Sequence, residues 1–172
     1  REEGALRRYV HLSTGNYHPR TAKLYTDFGL FTCNEEFGAD VNDVFTQLTG
    51  LGRALRLKHI WQSPFTLHKQ ILRAIRAEAA NAQEGRPARI IAKMNSLLEP
   101  EVISALYDAS KAGVEIDLIV RGVCALRPGI PEISERIRVR SIVGRFLEHS
   151  RIFCFHNDGA QDVYLSSADW MD

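Results

Sequence analysis

The sequence predicts an α/β fold in which helices flank a parallel or mixed sheet. From Lys58 onward, short apolar runs alternate with longer stretches of helical periodicity, in the order strand, helix, strand, helix, strand. This alternation is typical of right-handed crossovers between parallel strands. Two later apolar runs flank Asn157-Asp158-Gly159, a turn signal that predicts a β-hairpin. We therefore expect one sheet with covering helices over residues 58–172.

Composition narrows the possible partners of the chain. Its 172 residues are 45% hydrophobic and 25% charged, with a net charge of +1. Proteins that hold nucleic acid by its phosphates usually carry a marked basic excess, so we expect no nucleic-acid partner and only a local anion site. The three cysteines lack metal-ligand spacing and suit a reducing cytosol. A cytoplasmic protein is expected, with membrane association left open.

The first 57 residues are predicted to form a separate unit. A strand is expected from Leu6 to Leu12, followed by a Ser/Thr/Gly/Asn turn and an irregular connection over residues 18–39. Asp40 is expected to cap a short helix that ends at Gly50. The apolar face of that helix would carry Val41, Val44, Phe45 and Leu48. The basic segment Gly50 to Lys58 is predicted to be a linker, which puts the domain boundary between residues 57 and 58.

The second unit, residues 58–172, contains the alternating elements. His59 to Gln62 is predicted to be a strand, and Thr66 is expected to cap a helix that runs to Ala82. A buried strand is predicted from Ala88 to Met94, and another from Val114 to Val120. Between them Pro100 opens a helix that ends at Gly113. Its inward residues would be Ile103, Leu106 and Tyr107.

Basic and amide side chains follow two of these strands. Ligands in α/β sheets collect at the carboxyl ends of the strands, where the sequence places Lys93, Asn95 and Arg121. Arg121 directly follows an apolar strand, so its forked guanidinium would emerge at the rim of the sheet, where it can grip phosphate oxygens. Many arginines in such positions are merely solvated. The roles of Lys93 and Asn95 stay open.

Six consecutive residues near the two ends of the chain match conservatively. Leu12 to Tyr17 reads LSTGNY, and Leu165 to Trp170 reads LSSADW. This match indicates an internal repeat. In the second copy His149 precedes the acid Asp169, and a predicted hairpin would bring the two together near Arg151, an arrangement that suits a phosphate. The corresponding histidine of the first copy would precede residue 1.

Five long blocks, in one order, carry a family resemblance. They are Tyr9–Tyr17, Thr21–Asp27, Leu118–Pro128, Ser141–Arg151 and Tyr164–Met171. These blocks closely resemble the bacterial polyphosphate kinases that autophosphorylate on histidine. The likeness covers essentially the whole chain, which makes it far more specific than a single short motif.

The resemblance implies a fold and an activity. It implies two phospholipase-D-like halves that face each other, with residues 1–57 as the end of the first and residues 58–172 as most of the second. The activity would be reversible transfer of the ATP γ-phosphoryl group to inorganic polyphosphate through a phosphohistidine. The phosphorylated histidine and the Mg²⁺ ligands are expected upstream of residue 1, so the chain itself would be inactive. The full-length enzyme would be a homo-oligomer that uses ATP, ADP and polyphosphate.

The resemblance also assigns roles to individual residues. His149 would be a ligand and proton donor at the nucleotide phosphates, and Arg121 would clamp phosphate. Tyr25 would line the base site, and His11 would support the transfer. Without the resemblance, His11 on its predicted strand is better explained as a core histidine and Tyr25 as a packing residue. His149-Ser150-Arg151 departs from the H-x-K motif of this fold by an arginine.

Two other classes of function stay open from the sequence. A phosphodiesterase or nuclease of the phospholipase D type would share the duplicated architecture, but it would use two H-x-K motifs and transfer to water. A non-catalytic phosphate-binding module would also fit the chain. Histidine suits phosphoryl transfer, because neutral imidazole is nucleophilic near neutral pH and a phosphohistidine can pass its phosphoryl group onward in either direction.

Overall fold

A mixed sheet and two helices carry the second half of the chain. The computed structural model describes residue 4, residues 6–50 and residues 56–171. We call residues 6–50 the N-terminal segment and residues 56–171 the sheet segment. Strands are β1 Val10–Ser13, β2 Gly29–Thr32, β3 Arg89–Met94, β4 Glu115–Val120, β5 Ile137–Arg140, β6 Arg151–Phe155 and β7 Asp162–Ser166. Helices are α1 Glu35–Thr49, α2 Leu67–Gln83 and α3 Pro100–Ala112, and short 3-10 turns lie at Thr21–Lys23 and Asn157–Gly159.

The main sheet has five strands in the order β5-β4-β3-β6-β7. Strands β3, β4 and β5 are parallel, whereas β6 runs antiparallel to both β3 and β7. The α/β fold with flanking helices is therefore confirmed, and the sheet is mixed. The carboxyl ends of β3 and β4 meet the start of β6 at one edge of the sheet.

The core lies between the sheet and the helices α2 and α3. Alternate residues of each strand face it, because side chains alternate across a pleated strand. Ile90, Ala92 and Met94 of β3 are buried together with the matching residues of β4 and the apolar faces of both helices. Phe153 and Trp170 close this core beneath the hairpin. The packed core therefore supports the end of the sheet where the carboxyl ends of β3 and β4 meet the start of β6.

Most predicted elements of the sheet segment are confirmed. Helix α3 begins at Pro100 and ends at Gly113, which adopts a left-handed φ of 107°. A glycine suits this position because it carries no Cβ to clash. Helix α2, strands β3 and β4 and the hairpin β6–β7 fall within one or two residues of their predicted bounds. Strand β5 was not anticipated.

The predicted irregular connection over residues 18–39 is wrong. It contains a short 3-10 turn, strand β2 and the start of α1. Strand β2 pairs antiparallel with β1, with Val10 opposite Thr32. The predicted first strand begins only at Val10 rather than Leu6. The sequence does not predict β2, because this strand is stabilised by pairing with β1 and a local pattern does not reveal such pairing.

Asp40 has a role other than the predicted helix cap. Asn34 caps α1, since its Oδ1 accepts the N–H groups of Glu36 and Phe37. Asp40 lies inside the helix and is buried, and its carboxylate accepts the backbone N–H groups of residues 58–60. Those groups are then unavailable for a sheet, so the predicted strand His59–Gln62 does not form.

The remaining predictions for the first unit have mixed outcomes. Helix α1 ends at Gly50 as predicted. Two of its supposed inward residues, Phe45 and Leu48, are exposed. Of the predicted linker, residues 51–55 lie outside the described residues. No helix in the part of the chain that the structure describes is long and apolar enough to span a membrane.

The Asp40 carboxylate makes the packing of α1 on residues 58–60 dependent on pH. Burial alone would raise the pKa of Asp40, but the backbone N–H groups of Lys58, His59 and Ile60 outweigh it and hold the pKa below its usual range. Its contribution to stability is therefore complete above the pKa of an unfolded aspartate, about 3.9, and is lost as the pH falls through the lower folded value.

We expect Asp40→Asn to lower the free energy of unfolding at pH 7 by about 1–3 kcal/mol, because charged acceptors of backbone N–H groups are replaced by a neutral amide. Urea denaturation measures this difference, which should shrink at acid pH. Asp43→Asn on the same helix is the control and should change little. An equal loss in both variants would contradict the role of Asp40.

Candidate functional site

His149 lies at the centre of a cluster at the carboxyl edge of the sheet. Its Nδ1 is 3.5 Å from Nη1 of Arg121 and 3.5 Å from the side-chain amide of Asn95. The ring of Tyr25 lies 4.6 Å from the imidazole, centroid to centroid, and is tilted by 36°. Arg121 and Asn95 follow β4 and β3, and His149 precedes β6. The structure thus brings together three of the four predicted site residues, His149, Arg121 and Tyr25.

Backbone pairing brings Tyr25 to this edge from the N-terminal segment. Tyr25 forms a parallel bridge with Leu147. The N–H of Thr26 donates to the Leu147 carbonyl at 2.9 Å, and the Leu147 N–H donates to the Leu24 carbonyl at 2.7 Å. The position of the tyrosine ring is therefore set by contacts between parts of the chain that lie far apart in sequence.

A buried ion pair supports the loop that carries His149. Nε of Arg151 donates to Oδ1 of Asp169 at 3.0 Å, and Nη1 donates to the carbonyl of His149 at 2.9 Å. Asp169 also accepts the backbone N–H of Asn95 at 2.8 Å, and the Asn95 amide oxygen faces the Arg151 guanidinium. Both charged residues are less than a tenth exposed. The Arg151 side chain is thus buried and hydrogen-bonded within the protein, so it has a structural role and is not available to a ligand.

Arg121 is the guanidinium that remains open at the site. It is half-buried, and it pairs with no carboxylate of the described residues. Its backbone is fixed, since its N–H donates to Met94 and its carbonyl accepts the Ser141 hydroxyl. At the next residue, Gly122, a side chain would come within 3.1 Å of the Asn95 carbonyl oxygen. The ends of β3 and β4 therefore pack closely behind the Arg121 guanidinium.

His149 is held in its neutral form. Burial lowers the pKa of His149, and the nearby Arg151 and Arg121 lower it further, against a smaller opposing effect of Asp27 and Asp169. With its pKa below the usual range, the imidazole is uncharged near neutral pH. A neutral ring beside a free guanidinium can donate one hydrogen bond to an anion without repelling Arg121.

Lys93 has a structural role that the sequence left open. Its Nζ donates to the carbonyl and hydroxyl of Ser150 at 2.9 and 2.7 Å, and it lies 3.2 Å from Oε2 of Glu148. These three acceptors match the three donors of an ammonium group. Lys93 therefore binds the segment around His149 and not a phosphate.

His11 lies apart from the cluster and is exposed. Its Nδ1 is 2.8 Å from the Tyr17 hydroxyl, and its ring stacks on Phe31 at 4.2 Å. Its Nε2 lies over Gly29, where an added Cβ would approach it to 3.1 Å. None of these contacts reaches His149, Tyr25 or Arg121. The alternative of a satisfied core histidine is wrong, because β1 presents this side chain outward.

The internal repeat is visible in the turns that follow β1 and β7. The Ser13 hydroxyl accepts the N–H of Gly15 at 3.1 Å, and the Ser166 hydroxyl accepts the N–H of Ala168 at 3.0 Å. The copies then differ, since Trp170 is buried whereas its counterpart Tyr17 is exposed. The same turn is therefore built twice, and only the second copy closes on a core within the described residues.

A group of metal-ligand type lies elsewhere, at the start of α3. His68, Glu99 and Glu101 place ligand atoms within 4.8 Å of one another. Burial tends to raise the pKa of Glu99, but the N–H groups of Val102 and Glu101 and the His68 ring hold it below its usual range. Glu99 caps the helix through the Val102 N–H. Helix capping and the contact of His68 Nε2 with Glu99 at 3.3 Å account for the group, and no described contact joins it to His149 or Arg121.

Sequence reasoning missed two residues of the site, Thr26 and Glu148. The Thr26 hydroxyl donates to Oε2 of Glu148 at 3.1 Å. The two residues are separated by 122 positions in the chain, so no local pattern signals their contact. The predicted hairpin and the repeat place Asp169 near His149, but they do not predict its buried ion pair with Arg151.

Fold and site together define an α/β domain with a candidate anion-binding edge, built from a neutral imidazole, a free guanidinium and an aromatic ring. Two family models match the chain: "Polyphosphate kinase C-terminal domain 1" over residues 1–54 and "Polyphosphate kinase C-terminal domain 2" over residues 60–172. The chain therefore belongs to the polyphosphate kinase family.

Individual relatives agree with the family models. A polyphosphate kinase of Burkholderia cenocepacia is 69% identical over 170 residues, which are 99% of this chain and 25% of that protein. One of Paraburkholderia phytofirmans is 66% identical over 167 residues, 97% of this chain and 24% of that protein. The crystal structure of polyphosphate kinase from Porphyromonas gingivalis superposes with a TM-score of 0.89 and 42% identity, covering 96% of this chain and 27% of that one. The chain thus spans about a quarter of the length of these relatives.

The buried Arg151–Asp169 pair should be indispensable to the fold of this edge. Asp169→Asn leaves the Arg151 charge buried without a compensating carboxylate, so we expect a loss of about 3–5 kcal/mol in the free energy of unfolding. Urea denaturation measures it. Asp108→Asn, which breaks an exposed pair with Lys111, is the control and should cost less than about 1 kcal/mol. Similar losses in the two variants would mean that the buried ion pair contributes no more to stability than the exposed one.

Proposed function

We propose that the chain is the C-terminal part of a polyphosphate kinase that transfers the γ-phosphoryl group of ATP reversibly to inorganic polyphosphate. The observation that carries the proposal is the cluster of His149, Arg121 and Tyr25 on one sheet edge, in a chain whose family and relatives bear that name. The division of the two family models between residues 54 and 60 supports a domain boundary near residues 57 and 58.

His149 and Arg121 are proposed to hold the phosphates of the nucleotide. Arg121 Nη1 beside Nδ1 favours the tautomer whose proton sits on Nε2, and that N–H donates to a phosphate oxygen. The Arg121 guanidinium supplies charge to the transferring group, whose negative charge is spread over several oxygens. The backbone of Arg121 is held by Met94 and Ser141, which keeps the guanidinium at this end of the sheet before a ligand arrives.

Tyr25 and His11 are proposed to act from the N-terminal segment. Tyr25 lies against His149, and its phenol ring is proposed to line the base site of a nucleotide whose phosphates reach Arg121 and His149. His11 is proposed to support the transfer, with its exposed ring held in one orientation by Tyr17 and Phe31. The phosphorylated histidine itself is proposed to lie outside this chain.

A divalent metal ion, Mg²⁺, is proposed to accompany the nucleotide. The carboxylates that act on His149 are those of Asp27 and Asp169, and Asp169 is committed to Arg151. These residues do not form a ligand set for the ion, so its ligands are proposed to lie elsewhere. Homo-oligomerisation and a cytoplasmic location likewise stay predictions for the full-length protein.

The position of Arg151 favours the kinase over a phospholipase-D-type phosphodiesterase. A phosphodiesterase of that fold would use the basic residue of a second H-x-K motif at the phosphate. Here the basic residue two positions after His149 is buried and neutralised by Asp169. His149 and Arg121 remain as phosphate ligands without that cation.

His149→Ala in the full-length enzyme is expected to impair use of ATP while leaving the fold in place, because the ring is half-buried in front of β6 and not part of the core. Steady-state kinetics in both reaction directions and a thermal melt measure the two effects. His18→Ala, an exposed histidine of the N-terminal segment, is the control. Equal activity of His149→Ala and the parent would remove His149 from the site.

Arg121→Lys keeps the positive charge but loses the forked donor. We expect it to weaken ATP binding or transition-state stabilisation by about 1–3 kcal/mol. Arg136→Lys, an exposed arginine that pairs with Glu115, is the matched control and should leave kcat/KM unchanged. Unchanged kinetics in Arg121→Lys would show that the side chain is merely solvated.

A further inference from the structure

A polar cluster joins the N-terminal segment to the sheet segment directly beside the Tyr25–His149 contact. Oε2 of Glu148 accepts the Thr26 hydroxyl at 3.1 Å and lies 3.2 Å from Nζ of Lys93. The Thr26 hydroxyl also lies 3.3 Å from the carbonyl of Leu147. We call Thr26, Glu148 and Lys93 the clamp. Its three members come from three separate parts of the chain, namely the segment that precedes β2, the loop before β6, and β3.

Each end of the clamp is the chain neighbour of a site residue. Thr26 follows Tyr25, and Glu148 precedes His149. A shift of Thr26 relative to Glu148 therefore moves the phenol ring relative to the imidazole. The parallel bridge between Tyr25 and Leu147 sets the backbone register, and the clamp fixes the side chains on either side of it.

Burial gives the clamp more strength than a surface ion pair has. The Lys93 and Glu148 side chains are 14% and 23% exposed. Water screens such a pair less than an exposed one, so its attraction is stronger. The Lys93 ammonium also donates to the carbonyl and the hydroxyl of Ser150, the residue after His149. The ammonium thus holds residues on both sides of His149.

We propose that Glu148 is a positioning residue of the nucleotide site, which sets Tyr25 against His149 by joining Thr26 to Lys93. The inference rests on the proposed function, because it assigns a consequence to a nucleotide site at these two rings. Glu148 does not touch the nucleotide; it acts through Tyr25. Its loss should therefore affect how the base is bound more than how the phosphoryl group is transferred.

The test uses Thr26→Val and Glu148→Gln in the full-length enzyme. Thr26→Val removes the hydroxyl at almost constant shape, and Glu148→Gln keeps an oxygen for Thr26 but loses the charge opposite Lys93. We expect each to raise KM for ATP about fivefold, the equivalent of one ordinary hydrogen bond. The kcat at saturating ATP should change less than about twofold, and the preference for ATP over GTP should fall.

Two matched variants separate positioning from general loss of structure. Thr26→Ser restores the hydroxyl and should restore both KM and the preference for ATP. Thr46→Val removes a hydroxyl that donates to the Asn42 carbonyl at 2.8 Å at an exposed position of α1, and it should change neither. Amide hydrogen exchange of residues 24–26 and 147 should accelerate in Thr26→Val and stay unchanged in Thr46→Val.

The outcomes distinguish the clamp from the proposed function. If Tyr25→Ala raises KM for ATP while Thr26→Val and Glu148→Gln leave KM and base preference unchanged, the clamp is overturned and the proposed function stands. If the clamp variants only lower the melting temperature, their role is structural and the proposal is overturned as well. If Tyr25→Ala and His149→Ala also have no effect, the proposed function itself fails and the clamp fails with it.

Discussion

The buried ion pair between Arg151 and Asp169 is the constraint on which the candidate site depends. Two opposite charges out of water are stable only with good geometry and further hydrogen bonds, and here the backbone of Asn95 and the carbonyl of His149 provide them. The pair ties the ends of β3 and β7 to the start of β6. Because its partners are backbone groups of the site, its geometry determines where the imidazole of His149 lies.

The basic residues at this end of the sheet are of two kinds: those paired within the protein and one that is open to a ligand. Arg151 is neutralised by Asp169, and all three donors of Lys93 are directed at Ser150 and Glu148. Arg121 keeps its guanidinium open. Burial and the positive charges of Arg151 and Arg121 lower the pKa of His149, which favours the uncharged imidazole. A free guanidinium beside a neutral hydrogen-bond donor suits a phosphate group.

The site is also a joint between two parts of the chain. The sheet segment supplies His149 and Arg121, whereas the N-terminal segment supplies Tyr25. Backbone pairing at Leu147 and the side-chain contact of Thr26 with Glu148 hold the joint together. The part of the N-terminal segment around Tyr25 therefore lies directly against the candidate site of the sheet segment.

The sequence by itself determined the elements whose signals are local. Helix α3, between Pro100 and Gly113, and the hairpin around Asn157–Gly159 follow from caps, turns and periodicity, and the family follows from long matching blocks. Only the tertiary structure decided the rest. Asp40 was predicted to be a helix cap but binds backbone 18 to 20 positions away. Arg151 was grouped with the phosphate ligands but is buried. These outcomes depend on which distant group meets a charge, and local sequence carries no information about such encounters.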